Sequence, residues 1–193
     1  MRRALVLLAL ATPALAGCGM SRVVSSERSS AYTPMAALYA FNDRDAKVEI
    51  IGNPFGGAKG GEAKGGDAAA LASVVTAAAQ GRAMGLNTRF TTTPNETART
   101  NYRIAFAFNP VGYGPQGRVC RQPLPVAPPQ AGPPYKLYVE AAFCDGDGDF
   151  TAARGWLDAA TGLDDPNLRH LIGDLTHTLF PPAESDSCGG PDC

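Results

Sequence analysis

The sequence is poor in charge, in histidine and in long apolar runs. Only 18% of its 193 residues are charged and the formal net charge is −1, so the composition does not favour a nucleic-acid partner. The chain has two histidines and no Gly-x-Ser-x-Gly or His-Glu-x-x-His motif, so serine-hydrolase and zinc-protease chemistry lack their usual residues. The apolar run at residues 4–11 is shorter than the roughly 20 residues that cross a bilayer. We therefore expect a non-catalytic protein. We do not expect the run at residues 4–11 to span a membrane.

Glycine and proline are plentiful by contrast. The chain has 22 glycines and 16 prolines. Their combined share of the residues, roughly a fifth, is below the roughly 25–30% typical of low-complexity disorder. Apolar residues make up 45%, close to a globular average. The length suits one ordinary domain and is small for two. The composition therefore predicts a single packed core with long loops around it.

The amino terminus has the pattern of an export signal, with a basic start, a short apolar run and then a Thr-Pro pair. Leu15-Ala16-Gly17-Cys18 follows directly. This box and its context resemble the lipobox of bacterial lipoprotein precursors. The resemblance implies that residues 1–17 are a signal peptide. It also implies that Cys18 is lipidated and becomes the first residue of the mature chain.

The residue after this cysteine implies a location. Gly19 stands where an Asp often signals retention in the inner membrane, so the resemblance implies the outer membrane and its periplasmic face. Each buried CH₂ of an acyl chain contributes about 0.8 kcal/mol, and two or three chains hold a protein stably. Without Arg2 and Arg3 the mature chain is more acidic than basic, so we expect the acyl chains to bind the membrane.

Composition also divides the mature chain. Residues 18–34 are rich in serine and contain few large apolar side chains, which predicts the lipidated cysteine and a flexible tether. An amino-terminal strand is the alternative, but no period-two pattern runs through the segment. We expect one folded domain over residues 35–180 and a polar, cysteine-containing tail over residues 181–193.

Alternating side chains predict strands of this domain at 47–51, 102–108 and 135–143. A short threonine-rich run at 87–92 and a return strand at 150–157 complete the set. The Asp-Gly repeat at 145–149 predicts a hairpin turn before the last strand. The proline-rich segment 123–134 is expected to form a long external loop between two central strands.

Helical spacing of apolar residues predicts two helices. One begins at Asp67 and runs for about 17 residues, and the other spans 166–179 with Asp165 as its N-cap. Their apolar stripes are Ala68, Leu71, Val74, Val75 and Ala78 in the first, and Leu168, Leu171, Ile172, Leu175 and Leu179 in the second. The order of elements predicts an α+β fold, a small antiparallel sheet with both helices packed on one face.

The remaining cysteines predict disulfides. Apart from Cys18, the chain contains Cys120, Cys144, Cys188 and Cys193, an even number in an exported protein. Three pairings are possible. We favour Cys120–Cys144, which would close the proline-rich loop, and Cys188–Cys193 within the tail. A zinc site is the alternative, but Cys-x₄-Cys without a nearby histidine is a poor match.

The weak metal candidates lie in two places. His170, Asp174 and His177 lie opposite the apolar stripe of the last predicted helix, where a solvated face is the alternative. A single helix supplies only an open site, so we expect no metal and no cofactor.

Asp145, Asp147 and Asp149 resemble the start of a calcium loop. Phe150 and Trp156 stand where such a loop needs Gly and Glu. We expect a hairpin tip with solvated carboxylates, and a looser calcium turn is the alternative.

Two glycine-rich segments are weak candidates for phosphate binding. Residues 112–117 match Gly-x-Gly-x-x-Gly, but Pro115 and the prolines after it leave no helix for a dinucleotide site. Residues 56–66 carry Lys59 and Lys64 but lack the adjacent Gly-Lys-Ser/Thr of a P-loop. We interpret the first as a chance match and the second as a mobile loop.

These patterns favour a lipid-anchored lipoprotein of the cell envelope, with a non-catalytic binding or assembly domain facing the periplasm. A small-ligand or metal carrier is the alternative, and a lipid-anchored envelope enzyme is less favoured. The expected partners are the membrane, through the acyl chains, and envelope proteins. The loops at 53–55 and 123–134 are the expected contact regions, although Phe55 beside Pro54 is better suited to pack into the core.

Overall fold

A computed structural model describes residues 21–25, 28–55, 65–115 and 117–182. The strands in these ranges are β1 (Ser21–Ser25), β2 (Arg44–Ile51), β3 (Thr88–Thr91), β4 (Tyr102–Phe108), β5 (Tyr135–Asp145) and β6 (Gly148–Ala160). The helices are α1 (Pro34–Phe41), α2 (Gly65–Ala79) and α3 (Pro166–Leu179), and a 3₁₀ turn spans Arg118–Cys120. The strands form one open sheet in the order β1-β6-β5-β4-β2-β3.

The sheet is mixed. The predicted α+β class is confirmed, but the expectation of a purely antiparallel sheet is wrong because β2 pairs in parallel with β3 and with β4. Parallel neighbours need a crossover connection, which the segment containing α2 supplies. The pairs β4–β5, β5–β6 and β6–β1 are antiparallel, and of these only β5 and β6 are joined by a hairpin.

The structure also has one helix more than the sequence predicts. Thr33 is the N-cap of α1, and its Oγ1 accepts a hydrogen bond from the Ala36 N–H at 3.1 Å. Pro34 lies in the first turn, where its missing N–H has no cost. With eight residues, α1 is too short to show a clear apolar period.

The expected tether is corrected by β1. Ser21–Ser25 pairs with residues 153–157 of β6, so this part of the segment is an edge strand. The chain is fixed again further on, because the Ser29 N–H donates to the Phe150 carbonyl at 3.0 Å and the Tyr32 hydroxyl donates to the Pro181 carbonyl at 2.8 Å. The strand forms because a distant partner is available, and no local apolar pattern announces it.

One face of the sheet, called the helix face here, is covered by the three helices. The predicted stripe of α3 is confirmed, since its five residues are fully buried. The buried line of α2 is Leu71, Val75 and Ala79, and Ala68 is exposed, so the predicted stripe of this helix is partly wrong. The main contacts of α2 are with α3 and β3, and one line of residues spaced four apart is enough to make them. Within the described residues, no helix is both long and apolar enough to span a bilayer.

The other face, called the loop face here, is crossed by the connection 109–134 between β4 and β5. Small side chains lie beneath this loop, including Ala105, Ala107, Ala142 and Ala152. Cys120 in the loop is bonded to Cys144 of β5, which confirms the favoured pairing. The loop therefore lies close to the strands and excludes water from the centre of this face.

Candidate functional site

A buried carboxylate organises the part of the loop face next to β1. Glu140 of β5 is 3% exposed. It accepts hydrogen bonds from Arg118 Nε at 2.9 Å and from the Tyr138 hydroxyl at 2.7 Å. Arg154 Nε of β6 lies 3.6 Å from the same carboxylate. A buried charge with these partners is satisfied, which is the condition for its presence inside a protein.

The two arginines also bind the loop itself. Arg118 donates to the carbonyls of Val111 at 3.1 Å and Gly112 at 2.7 Å. Arg154 Nη2 donates to the carbonyl of Gly114 at 2.7 Å. Residues 111–114 are thus fixed above β5 and β6 by side chains, because a loop has no ladder of its own to satisfy its carbonyls.

Aromatic and cationic side chains continue this cluster towards β1. Tyr138 stacks on Trp156 with ring centroids 5.2 Å apart. The Arg22 guanidinium lies over the Trp156 ring, 4.5 Å from its centroid. Burial raises the pKa of Tyr138, and the adjacent Glu140 raises it further. Tyr138 therefore stays a protonated hydrogen-bond donor and does not serve as a base.

Exposed apolar side chains border the cluster. Val24 is 49% exposed, Val111 is 51% exposed and Tyr113 is 98% exposed. Val24 pairs in register with Arg154, and Tyr113 lies between the two glycines whose carbonyls the arginines hold. We call this surface the β1 patch; its members are Arg22, Val24, Val111, Tyr113 and Trp156.

The predicted cysteine sites have different outcomes. Cys120 and Cys144 form the favoured bridge and are fully buried. The proposed lipidation site Cys18 and the tail cysteines Cys188 and Cys193 lie outside the described residues.

The weak metal candidates are not brought into a common site. His170, Asp174 and His177 are exposed on α3, on the side away from the sheet. At the β5–β6 hairpin, the Asp149 carboxylate packs against Gly117, where a Cβ would overlap it. In the part of the chain that the structure describes, no three His, Cys, Asp or Glu side chains are close enough to hold a metal ion.

The glycine-rich segments do not form a phosphate cradle in the described residues. Residues 112–115 offer carbonyls to Arg118 and Arg154, whereas a phosphate needs N–H donors. Residues 56–64, with both lysines, and residue 116 lie outside the described ranges. Gly65 and Gly66 begin α2.

One of the two expected contact regions is largely a core contact. Phe55 is 7% exposed and packs on Tyr135 with ring centroids 4.9 Å apart, so the core interpretation of this residue is confirmed. The Asn53 side-chain oxygen holds the turn by accepting from the Phe55 N–H at 3.0 Å.

The residues of the Glu140 cluster were not among the predicted sites. Their signal in the sequence is a glutamate within the apolar strand at 135–143, two residues after a tyrosine on the same side of the strand. A charge at such a position needs a buried partner. Sequence alone does not say which arginine supplies it.

The described residues form an α+β fold with a mixed sheet, of which one face lies under helices and the other under a disulfide-bridged loop. No protein-family model matches the chain, and no curated protein matches it. Solved structures similar to it include the PelC dodecamer from Paraburkholderia phytofirmans, at 14% identity and a TM-score of 0.42. A point variant of that dodecamer is similar at 12% identity and a TM-score of 0.41, and each match covers 83% of this chain and 98% of the other. At these values the likeness carries no functional inference.

Proposed function

We propose that this protein is a lipid-anchored lipoprotein of the bacterial cell envelope and that its domain is a non-catalytic binding or assembly module facing the periplasm. The observation that carries the proposal is Leu15-Ala16-Gly17-Cys18 directly after a basic start and a short apolar run. Gly19 favours the outer membrane as the place of anchoring.

The disulfide supports export. Cys120 and Cys144 are fully buried and join the loop to β5 near the end of that strand. Structural disulfides of this kind persist in oxidising compartments such as the periplasm and are rare in the cytosol.

The use of the polar groups supports binding over catalysis. Arg118 and Arg154, which pair with Glu140, donate their other hydrogen bonds to carbonyls of residues 111–114. These polar groups therefore fix the loop. Among the residues that the structure describes, the exposed large apolar side chains fall into two groups, one on the β1 patch and one formed by Met35 and Tyr39 of α1 with Met84. Two separate apolar surfaces suit a protein that makes two contacts.

The second surface lies at the far end of the sheet from the start of β1. It borders an apolar groove of about 230 Å³ between α1, the residues after α2 and the end of α3, lined mainly by Tyr32, Pro34, Leu38, Leu86, Pro181 and Pro182. Tyr39 contacts Tyr102, the first residue of β4, which places it at this end. Met84 also lines this groove, and a flexible methionine can adapt to an apolar segment of a partner.

Mass spectrometry of the amino-terminal peptide of the mature protein tests the anchor. We expect a peptide that begins at Cys18 and carries diacylglyceryl. The Cys18→Ala variant should leave the membrane fraction, and Cys188→Ala, the same chemical change in the tail, should remain there. Membrane association of Cys18→Ala, or an unmodified Cys18, would contradict the proposal.

Affinity capture of the lipidated protein tests the binding module. Met35→Ser with Met84→Ser should release an envelope partner that the native protein retains, while Arg121→Ser on an exposed position of the loop should retain it. Equal capture by all three proteins would place the contact elsewhere.

A further inference from the structure

We infer that the β1 side of the loop face lies on the bilayer, with the β1 patch in the headgroup layer of zwitterionic phospholipid and the helices turned away from it. This inference rests on the proposed lipidation of Cys18. It adds to that proposal the orientation of the domain and the surface that contacts lipid.

The connection between Cys18, the proposed anchor, and the sheet is short. Ser21, the first residue of β1, is three residues after Cys18. Three extended residues span at most about 11 Å. A headgroup layer is about 5–8 Å thick, so even a fully extended connection would take the chain only a few Å beyond it. The start of β1 must therefore lie at the membrane surface.

Aromatic and cationic side chains lie beside the start of β1. Arg22 is opposite Trp156 in the sheet, and Trp156 is opposite Tyr138. Neighbouring strands are about 4.8 Å apart, so these side chains lie within about 10 Å of β1. Tyr113 is held above the next row by the bonds of its neighbours to Arg118 and Arg154.

The positions of the exposed charges determine how the domain is tilted. An upright domain would press the end of the sheet against lipid, where Lys136 and Asp164 are exposed. The side chain of Asp164 is fully exposed, and taking such charges out of water is unfavourable. On the loop face the carboxylate of Glu140 is already buried and paired, Val24, Val111 and Tyr113 are exposed instead, and Trp156 is half-buried beside them. Trp and Tyr are the side chains enriched at membrane interfaces, so the tilted orientation is favoured.

The few charges of the β1 patch determine the type of lipid. Lys and Arg clusters bind anionic lipid by charge, with about 1 kcal/mol from each residue near the surface. The β1 patch contains one arginine, and Asp158 lies two residues after Trp156. The contact is therefore an interfacial one that zwitterionic lipid provides.

The chain carries its own probe, since Trp156 is its only tryptophan. Lipidated protein is placed in phosphatidylcholine vesicles that contain a headgroup-nitroxide phosphatidylcholine, and Trp156 emission is recorded. We expect a loss of emission that is absent with unlabelled vesicles, and a reduced quenching by aqueous iodide. Two matched proteins move the indole, Trp156→Phe with His170→Trp on the exposed side of α3 and Trp156→Phe with Asp164→Trp at the end of the sheet. Both should be quenched less by the labelled lipid than Trp156 is.

Stronger lipid quenching at position 164 or 170 than at 156 would overturn the orientation. A second variant, Tyr113→Ser, should increase iodide quenching of Trp156 on vesicles, and Met35→Ser at the opposite end should leave it unchanged. Mass spectrometry of the same samples separates the two proposals. Unquenched Trp156 on a protein shown to carry lipid overturns this inference alone, and a protein without lipid overturns both.

Discussion

On the helix face, the strands present large apolar side chains to the helices, among them Phe106, Phe143 and Leu157. On the loop face, the same strands present small side chains such as Ala105 and Ala142 to a loop with one 3₁₀ turn. A helix satisfies its own backbone and brings a stripe of side chains to the contact. A loop brings unsatisfied carbonyls, and it can cover a sheet only if other groups bind them.

Arginines are those groups here. Arg118 binds the carbonyls of Val111 and Gly112, and Arg154 binds that of Gly114. Arg103 of β4 donates to the Cys120 carbonyl at 2.6 Å, beside the disulfide. The helix face is thus stabilised by apolar burial, and the loop face by hydrogen bonds, ion pairs and one covalent bond. The two faces should respond differently to mutation and to reduction.

The largest effect is expected on the helix face. Leu171→Ala removes a fully buried side chain of α3, and such changes lower the free energy of unfolding by about 2–5 kcal/mol. Chemical denaturation of the domain measures it. His170→Ala, at the adjacent exposed position, should stay within about 0.5 kcal/mol of the native protein. A Leu171→Ala loss no larger than that of His170→Ala would show that α3 does not carry this face.

Removal of the disulfide should come next. Cys120→Ala with Cys144→Ala opens a loop whose ends are 24 residues apart, and the chain-entropy model gives a loss of about 3 kcal/mol. Hydrogen exchange distinguishes the faces. Amides within 109–134 should lose protection before those of α3. Equal loss of protection in both would mean that the two faces unfold as one unit.

The paired carboxylate of the loop face should have a smaller effect. Glu140→Gln keeps the shape but leaves Arg118 and Arg154 without their counter-charge, and hydrogen bonds to charged groups are worth about 1.5–3 kcal/mol. Denaturation again gives the value, with Glu96→Gln at an exposed position as the control. If the two variants were equally stable, the cluster would not be what holds residues 111–114.

Local signals explain how much of this fold the sequence predicts. The bounds of α3 and β4 agree with the structure. Asp165 and Pro166 mark the start of α3, and large apolar residues at alternate positions mark β4, so no distant contact is needed to locate either. The hairpin between β5 and β6 is similar, because its turn residues adjoin both strands.

Long-range contacts explain what the sequence misses. Ser21–Ser25 is a strand only because β6 lies beside it, more than a hundred residues later in the chain. Alternation places Tyr138 and Glu140 on one side of β5, but Arg118 reaches them from a loop with no periodic pattern. The site is therefore harder to predict than the fold, since it depends on where the loop is fixed.

The smallest expected effect is an acid sensitivity of the helix face. Burial alone would raise the pKa of Asp165, but hydrogen bonds from the Thr161 and Asn167 N–H groups outweigh it, and the pKa is lowered from 3.8. A carboxyl with a lowered pKa stabilises the fold above its unfolded value and loses that contribution as the pH falls through the folded value. An acidic group at a helix N-terminus contributes about 0.3–1 kcal/mol. We therefore expect a small loss of stability below about pH 4.

Asp165→Asn separates this contribution from the others. Asn is as good an N-cap as Asp but does not titrate, so the variant should be slightly less stable at pH 7 and should lose less on acidification. Part of the acid sensitivity must remain, because hydrogen bonds from Arg89 and from the Asn95 N–H also lower the pKa of Asp45. Denaturation at pH 7 and pH 3 measures both proteins. If the two proteins lost the same stability between pH 7 and pH 3, protonation of Asp165 would not weaken α3. The stability of the helix face would then be independent of pH, as expected of apolar contacts alone.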